Sequence, residues 1–189
     1  CTLVKADEQM VKVEMDEAWV DRLSVKVSED EFLGFDVEGF GKKEQIKVTI
    51  HYTDLSMLTL KNASCTGEII ADSLTHLYMI DGANLNASMD TKYCNLLMQS
   101  GSEARLKGKC QKLISVSESG ANLRAGKLLV EECTAKVESG AMSKLNVSTS
   151  LSATAESGGN ISYSGSPEMK ALETNSGGSV DKIKEGSAL

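Results

Sequence analysis

The chain has 189 residues, 41% hydrophobic, 25% charged and 4% aromatic, with 20 basic against 27 acidic side chains and a formal net charge of −7. The length fits one domain, and the apolar fraction excludes global disorder. The acidic balance and the lack of any Lys/Arg run exclude nucleic acid as a natural partner, and no segment approaches the roughly 18 apolar residues of a membrane-spanning helix.

The first 61 residues read as a β segment. Val11, Val13 and Met15 alternate, as do Leu23, Val25 and Val27, and then Ile46, Val48 and Ile50. Period-two alternation predicts three strands with polar outer faces. Asp16 to Asp21 fits one helical turn, with Trp19 as a core or cap residue. Phe32, Phe35 and Phe40 fall in a loop punctuated by Gly34, Gly39 and Gly41. Residues 1–61 are expected to cap a repeat region that begins at residue 62.

From residue 62 a glycine period takes over. Gly82, Gly101, Gly120, Gly140, Gly158 and Gly177 are separated by 19, 19, 20, 18 and 19 residues. Ser precedes each of the last five, and Asn62 marks a degenerate earlier copy. Such a period, with strand-like residues between turn glycines, is the signature of a solenoid. The third residues after each Gly are Leu85, Ala104, Leu123, Ser143 and Ile161; the fifth are Ala87, Leu106, Ala125, Leu145 and Tyr163. Large and small alternate down each column, in antiphase, as interdigitating stacked coils require. A second strand precedes each Gly, with inward pairs Leu77/Met79, Leu96/Met98, Ala135/Val137, Ala153/Ala155 and Leu172/Thr174. Ser115 and Ser117 interrupt that pattern, so a phase change or bulge is expected there. The fold expected is an all-β, single-stranded parallel β-helix over residues 62–184, with a polar tail at 185–189. A β-sandwich or meander is the alternative, although its columns need not alternate at this spacing.

Five cysteines are present: Cys1, Cys65, Cys94, Cys110 and Cys133. The odd number argues against a closed disulfide framework, and buried thiols acting as small hydrophobes are expected. Cys94 and Cys133 fall two coils apart, about 9–10 Å at one strand spacing per coil, which excludes a bond between them. Cys1 reads either as the lipid-bearing first residue of a bacterial lipoprotein or as a point where a longer chain was cut.

The segment Ser157-Gly158-Gly159-Asn160-Ile161-Ser162-Tyr163-Ser164-Gly165-Ser166-Pro167, followed by Ser176-Gly177-Gly178-Ser179-Val180, resembles the bacterial putative auto-transporter adhesin family, the head GIN domain. Ser119-Gly120-Ala121-Asn122-Leu123 and Gly82-Ala83-Asn84-Leu85 are similar to earlier family repeats, and the resemblance runs from about Leu23 to Ile183. It implies a right-handed parallel β-helix and a bacterial envelope or secreted protein, often of Bacteroidetes type. It supplies no catalytic residues. Family members usually carry more strands before the part matching Val11 to Val27, which points to a truncated start.

The second residues before the glycines include Glu118, Glu138 and Glu156 on consecutive coils. Stacked at about 4.8 Å, like charges repel unless exposed or bridged. Ca²⁺ would bridge them through carboxylate oxygens; a solvated, salt-screened face is the other reading. Asn84, Asn122 and Asn160 recur every 38 residues and read as turn formers. Gly-x-Ser-x-Gly and Walker loops are absent, and Asp36, Asp54, Asp72, Asp81 and Asp90 scatter over different edges. The expectation is a non-enzymatic envelope or surface protein without cofactor, binding a glycan or a host or cell-surface protein. It has no transmembrane helix and open coil ends suited to homo-oligomers. The alternatives are a small polysaccharide lyase or hydrolase on a β-helix, from fold analogy alone, and a self-assembling periplasmic scaffold.

Overall fold

The computed structural model describes residues 1–27, 33–37 and 46–183. Phe32, Gly39, Phe40, Gly41 and the 185–189 tail lie outside the described residues, as do the side chains of Trp19 and Phe35.

Fourteen strands are described: β1 (Thr2–Lys5), β2 (Met10–Glu14), β3 (Leu23–Val27), β4 (Leu33–Val37), β5 (Lys47–Tyr52), β6 (Met57–Lys61) and β7 (Ser64–Ile80), then β8 (Asn84–Met98), β9 (Glu103–Ser117), β10 (Asn122–Val137), β11 (Met142–Ala155), β12 (Asn160–Ser164), β13 (Glu168–Thr174) and β14 (Ser179–Lys182). A 3-10 turn, Glu17–Arg22, occupies the position of the expected helical turn. The strands β7 to β12, with β13 and β14, pair in parallel as an all-β solenoid of about seven turns, each coil roughly 19 residues after the last. Each of β7 to β11 is a single long strand that bends midway, where burial changes phase, so one strand supplies both walls of a coil.

The corners explain the glycine period. Ser100, Ser119, Ser139, Ser157 and Ser176 have φ of 49–53°, and the glycine after each also has positive φ. Two successive positive-φ residues closed by bonds such as Ala121 N–H to Glu118 O at 3.1 Å form a type I′ turn. Asn62 and Asp81 occupy the same position in the earlier coils. Coils are also joined at the corner itself, Gly101 N–H donating to Ser119 O at 3.0 Å. The 20-residue interval also has a local cause. Arg124 pairs with Arg105 and Lys127 with Lys107, so β10 gains a residue near Gly126 relative to β9.

Inside, the antiphase columns stack as expected. Leu85, Ala104 and Leu123 are in register, as are Ala87 and Leu106, and all are buried. Three features depart from the sequence expectation. Ser115 and Ser117 cause no phase change: they pair in register with Leu96 and Met98 and are buried. Ser117 Oγ meets Ser143 Oγ at 3.3 Å across the interior, so the two hydroxyls satisfy each other. Leu172, expected to face inward, is exposed although it pairs with buried Ala153. Asn84, Asn122 and Asn160 are not turn formers; they begin β8, β10 and β12 on the outer face, and Asn84 Nδ2 donates to Glu103 Oε2 on the next coil at 3.5 Å.

At the other end the sheet continues through β1, which pairs in parallel with both β7 and β5, and β2 closes it antiparallel to β5. The β3–β4 hairpin forms its own two-stranded sheet. Because Thr2 pairs with Thr66, Cys1 lies beside Cys65, and the two form a disulfide with Cα atoms 4.4 Å apart. This corrects the expectation of five thiols. The four residues of β1 are too few to show a strand period in the sequence, so nothing local signals their place beside β7. Cys94, Cys110 and Cys133 are free and buried.

Candidate functional site

The outer face of the first half of β8 to β11 carries an open cleft of about 720 Å³. Parallel registry places Asn86, Arg105, Arg124, Lys144 and Ser162 in one outward column, one residue per coil. Two residues past Arg105 and three past Arg124, Lys107 and Lys127 face each other across adjacent coils. All seven line the cleft together with Asn122 and Asn160. Glu103 lies between the two arginines: its Oε1 is 2.9 Å from Arg105 Nη2 and 2.9 Å from Arg124 Nε, an ion pair with each. The half-buried carboxylate fixes both guanidinium groups. Among the described residues, no carboxylate comes within ion-pair distance of Lys107, Lys127 or Lys144. The sequence contains no basic run because it places at most two of these cations on any one coil, with successive coils 17 to 20 residues apart; reading basic residues at the coil period would have found the column.

The glutamates singled out in the sequence lie at another corner. Glu118, Glu138 and Glu156 precede consecutive turns and stack coil on coil, Glu138 N–H bonding Ser117 O and Glu156 N–H bonding Val137 O at 2.9 Å each. Their charge is met from within the protein. Gln99 Nε2 donates to Glu118 Oε2 at 2.8 Å, Asn175 Nδ2 donates to Glu156 Oε1 at 3.3 Å, and Lys136 pairs with Glu138. The Glu138 carboxylate raises the Lys136 pKa, with smaller contributions from Glu156 and Glu118. The Lys136 ammonium thus pairs with Glu138 and adds a weaker attraction to the glutamates on either side. Among the described residues, no group of three or more His, Cys, Asp or Glu side chains is placed to hold a metal ion.

Three of the scattered aspartates serve as surface ion-pair partners, Asp81 with Lys61, Asp72 with Lys92 and Asp90 with Lys109; Asp54 Oδ1 accepts from Leu55 N–H at 2.9 Å, and the side chain of Asp36 lies outside the described residues. His76 stacks on Tyr78 with ring centroids 5.9 Å apart. Burial raises the thiol pKa of Cys94, and raises Cys110 to about 11 and Cys133 to about 12. None of these thiols is primed as a nucleophile.

A family model described as putative auto-transporter adhesin, head GIN domain, matches residues 1–167. The chain belongs to this family. No curated protein matches it. Among solved structures, this head GIN domain is similar to a putative adhesin from Bacteroides fragilis, with 19% identity, a TM-score of 0.80 and coverage of 96% of this chain and 87% of the other. A putative adhesin from Parabacteroides merdae matches at 15% identity and TM-score 0.63, covering 97% and 88%. A putative lipid binding protein from Parabacteroides distasonis matches at 14% identity and TM-score 0.67, again covering 97% and 88%. At these identities the likeness establishes the solenoid fold. Among the described residues no helix of the head GIN domain is long and apolar enough to cross a membrane.

Proposed function

We propose that this head GIN domain is a non-catalytic adhesion module of a bacterial envelope, holding a glycan or protein ligand on the cleft face of its solenoid. The cleft carries the reading: cations and amides project from hydrogen-bonded parallel strands, a rigid platform that loses little conformational entropy on binding. Its residues suit binding and positioning; Glu103 beside it is committed to ion pairs with Arg105 and Arg124. The family name supports the surface assignment. For Cys1, a thioether-linked lipid and the Cys1–Cys65 disulfide are alternative uses of one sulfur. Intact mass of the mature protein from its source decides between them. The location is tested by protease shaving of intact cells followed by detection of this protein. Loss of signal supports adhesion; full protection refutes it and leaves a periplasmic scaffold or assembly role.

A further inference from the structure

Resting on that adhesion reading, we infer that the cleft binds an acidic polysaccharide, a uronate polymer lying along the solenoid axis with its carboxylates on successive coils. The first support is spacing. Arg105, Arg124 and Lys144 are register neighbours on three consecutive coils, so their positions repeat at about 4.8 Å. Lys107 and Lys127 form a second row further along the same strands, two residues past Arg105 and, across the extra residue of β10, three past Arg124, roughly 7 Å away. Two parallel rows of positive charge run along the axis, a linear target for a linear polyanion.

The second support is charge. The chain as a whole is acidic, at −7, yet among the described residues Glu103 is the one carboxylate in ion-pair contact with the five cleft cations; the column ends in Asp181 beyond Ser162, and Glu68 lies two coils before Lys107 in the second row. Elsewhere on the solenoid lysines pair locally, Lys61 with Asp81, Lys92 with Asp72, Lys109 with Asp90 and Lys170 with Glu168, while Lys112 and Lys182 stand apart from the cleft's cluster. A concentration of uncompensated positive charge raises the local concentration of an anionic ligand.

The third support selects among polyanions. The backbones of β8 to β11 are paired on both sides, so a peptide finds no free edge to extend. Among the described residues no aromatic ring lines the cleft, which removes the stacking platform that single-stranded nucleic acid uses and leaves a neutral sugar little to hold it. Asn86, Asn122 and Ser162 stand among the cations, as donors and acceptors for sugar hydroxyls.

The test uses the purified domain with polygalacturonate, dextran, poly-L-glutamate and a DNA oligonucleotide, by calorimetry at low and at physiological salt. Polygalacturonate is expected to bind, more weakly as salt rises, and dextran is not. Lys107→Gln/Lys127→Gln/Lys144→Gln is expected to weaken binding at least about tenfold, Lys144→Gln alone a few-fold, and Lys92→Gln on another face not at all. All these side chains are at the surface, and a retained CD spectrum and melting transition confirm the fold. Absence of polygalacturonate binding, an unaffected triple variant, or equal binding of polyglutamate or DNA would overturn the inference. Protein that is shaved from cells but ignores polygalacturonate leaves adhesion standing and this ligand class refuted; protein protected from shaving refutes adhesion itself.

Discussion

Two glycine-to-alanine substitutions separate the two kinds of constraint in a coil. Gly120 sits in the type I′ corner at φ +73°, and a Cβ built there meets nothing within 4 Å. Gly120→Ala therefore incurs only the left-handed backbone penalty, about 1–2 kcal/mol, less about 0.4–1 kcal/mol from the stiffer unfolded chain. The net loss is roughly 1 kcal/mol. Gly108 lies mid-coil at φ +105°, and its Cβ would fall 2.2 Å from Met89 O and 3.2 Å from Met89 C and N. Met89 is its register partner on the adjoining coil, so relief requires parting two hydrogen-bonded strands. Overpacking adds about 1–3 kcal/mol to a backbone penalty of about 1–3 kcal/mol. Gly108→Ala should thus cost roughly 3–5 kcal/mol. Urea unfolding followed by far-UV CD, with m-values compared, reads both. Equal losses, or a larger loss for Gly120→Ala, would refute the assignment of the corner glycines to conformation and of Gly108 to close approach.

Removing the Cys1–Cys65 bond by Cys65→Ser should cost about 2–4 kcal/mol, given its 64-residue separation; hydrogen exchange should show β1 losing protection first, and unchanged protection there would refute the docking role. The buried thiols should resist iodoacetamide at pH 8 in the native state and react in urea. Their folded pKa values, about 11 for Cys110 and about 12 for Cys133, exceed the unfolded value of 9.0, so the unfolded state loses protons first. Their contribution is whole below pH 9 and declines as pH rises through this range, a decline that Cys110→Ala should lessen in melts at about pH 8 and about pH 10.5. Lys136→Met should lower the melting temperature at low salt and less at high salt, because Glu138 loses its ion-pair partner while Glu118 and Glu156 still flank it. A selective rescue by Ca²⁺ over Na⁺ would show that the column accepts a metal once its lysine is gone.

The repeat is legible in the sequence because each coil states its own constraints: a corner needing two positive-φ residues writes Ser-Gly into the chain, and stacking writes Leu85, Ala104, Leu123 into a column. The features that escape a local reading are relational. Ser115 and Ser117 read as a fault because a hydroxyl facing inward is costly alone, and only Ser143, a coil and a wall away, resolves one of them. The Cys1–Cys65 bond depends on β1 docking beside β7, a pairing between segments far apart in sequence. Gly67 and Gly165, like Gly108, are crowded glycines of the solenoid, yet they fall off the period that makes the corner glycines visible. The cleft cations are spread over three coils, at most two to a coil, so no local window contains two coils of them.

The antiphase columns also define what this protein can gain or lose in evolution. Excising the single coil that carries Ala104 and Leu106 would set Leu85 against Leu123 and Ala87 against Ala125, crowding one layer and hollowing its neighbour. Excising two coils restores the alternation at the new junction, and the 38-residue recurrence of Asn84, Asn122 and Asn160 has the same double step. The hereditary unit of this solenoid is therefore a pair of coils. Natural length variants should differ by about 38 residues, and each such step would lengthen the platform by about 10 Å.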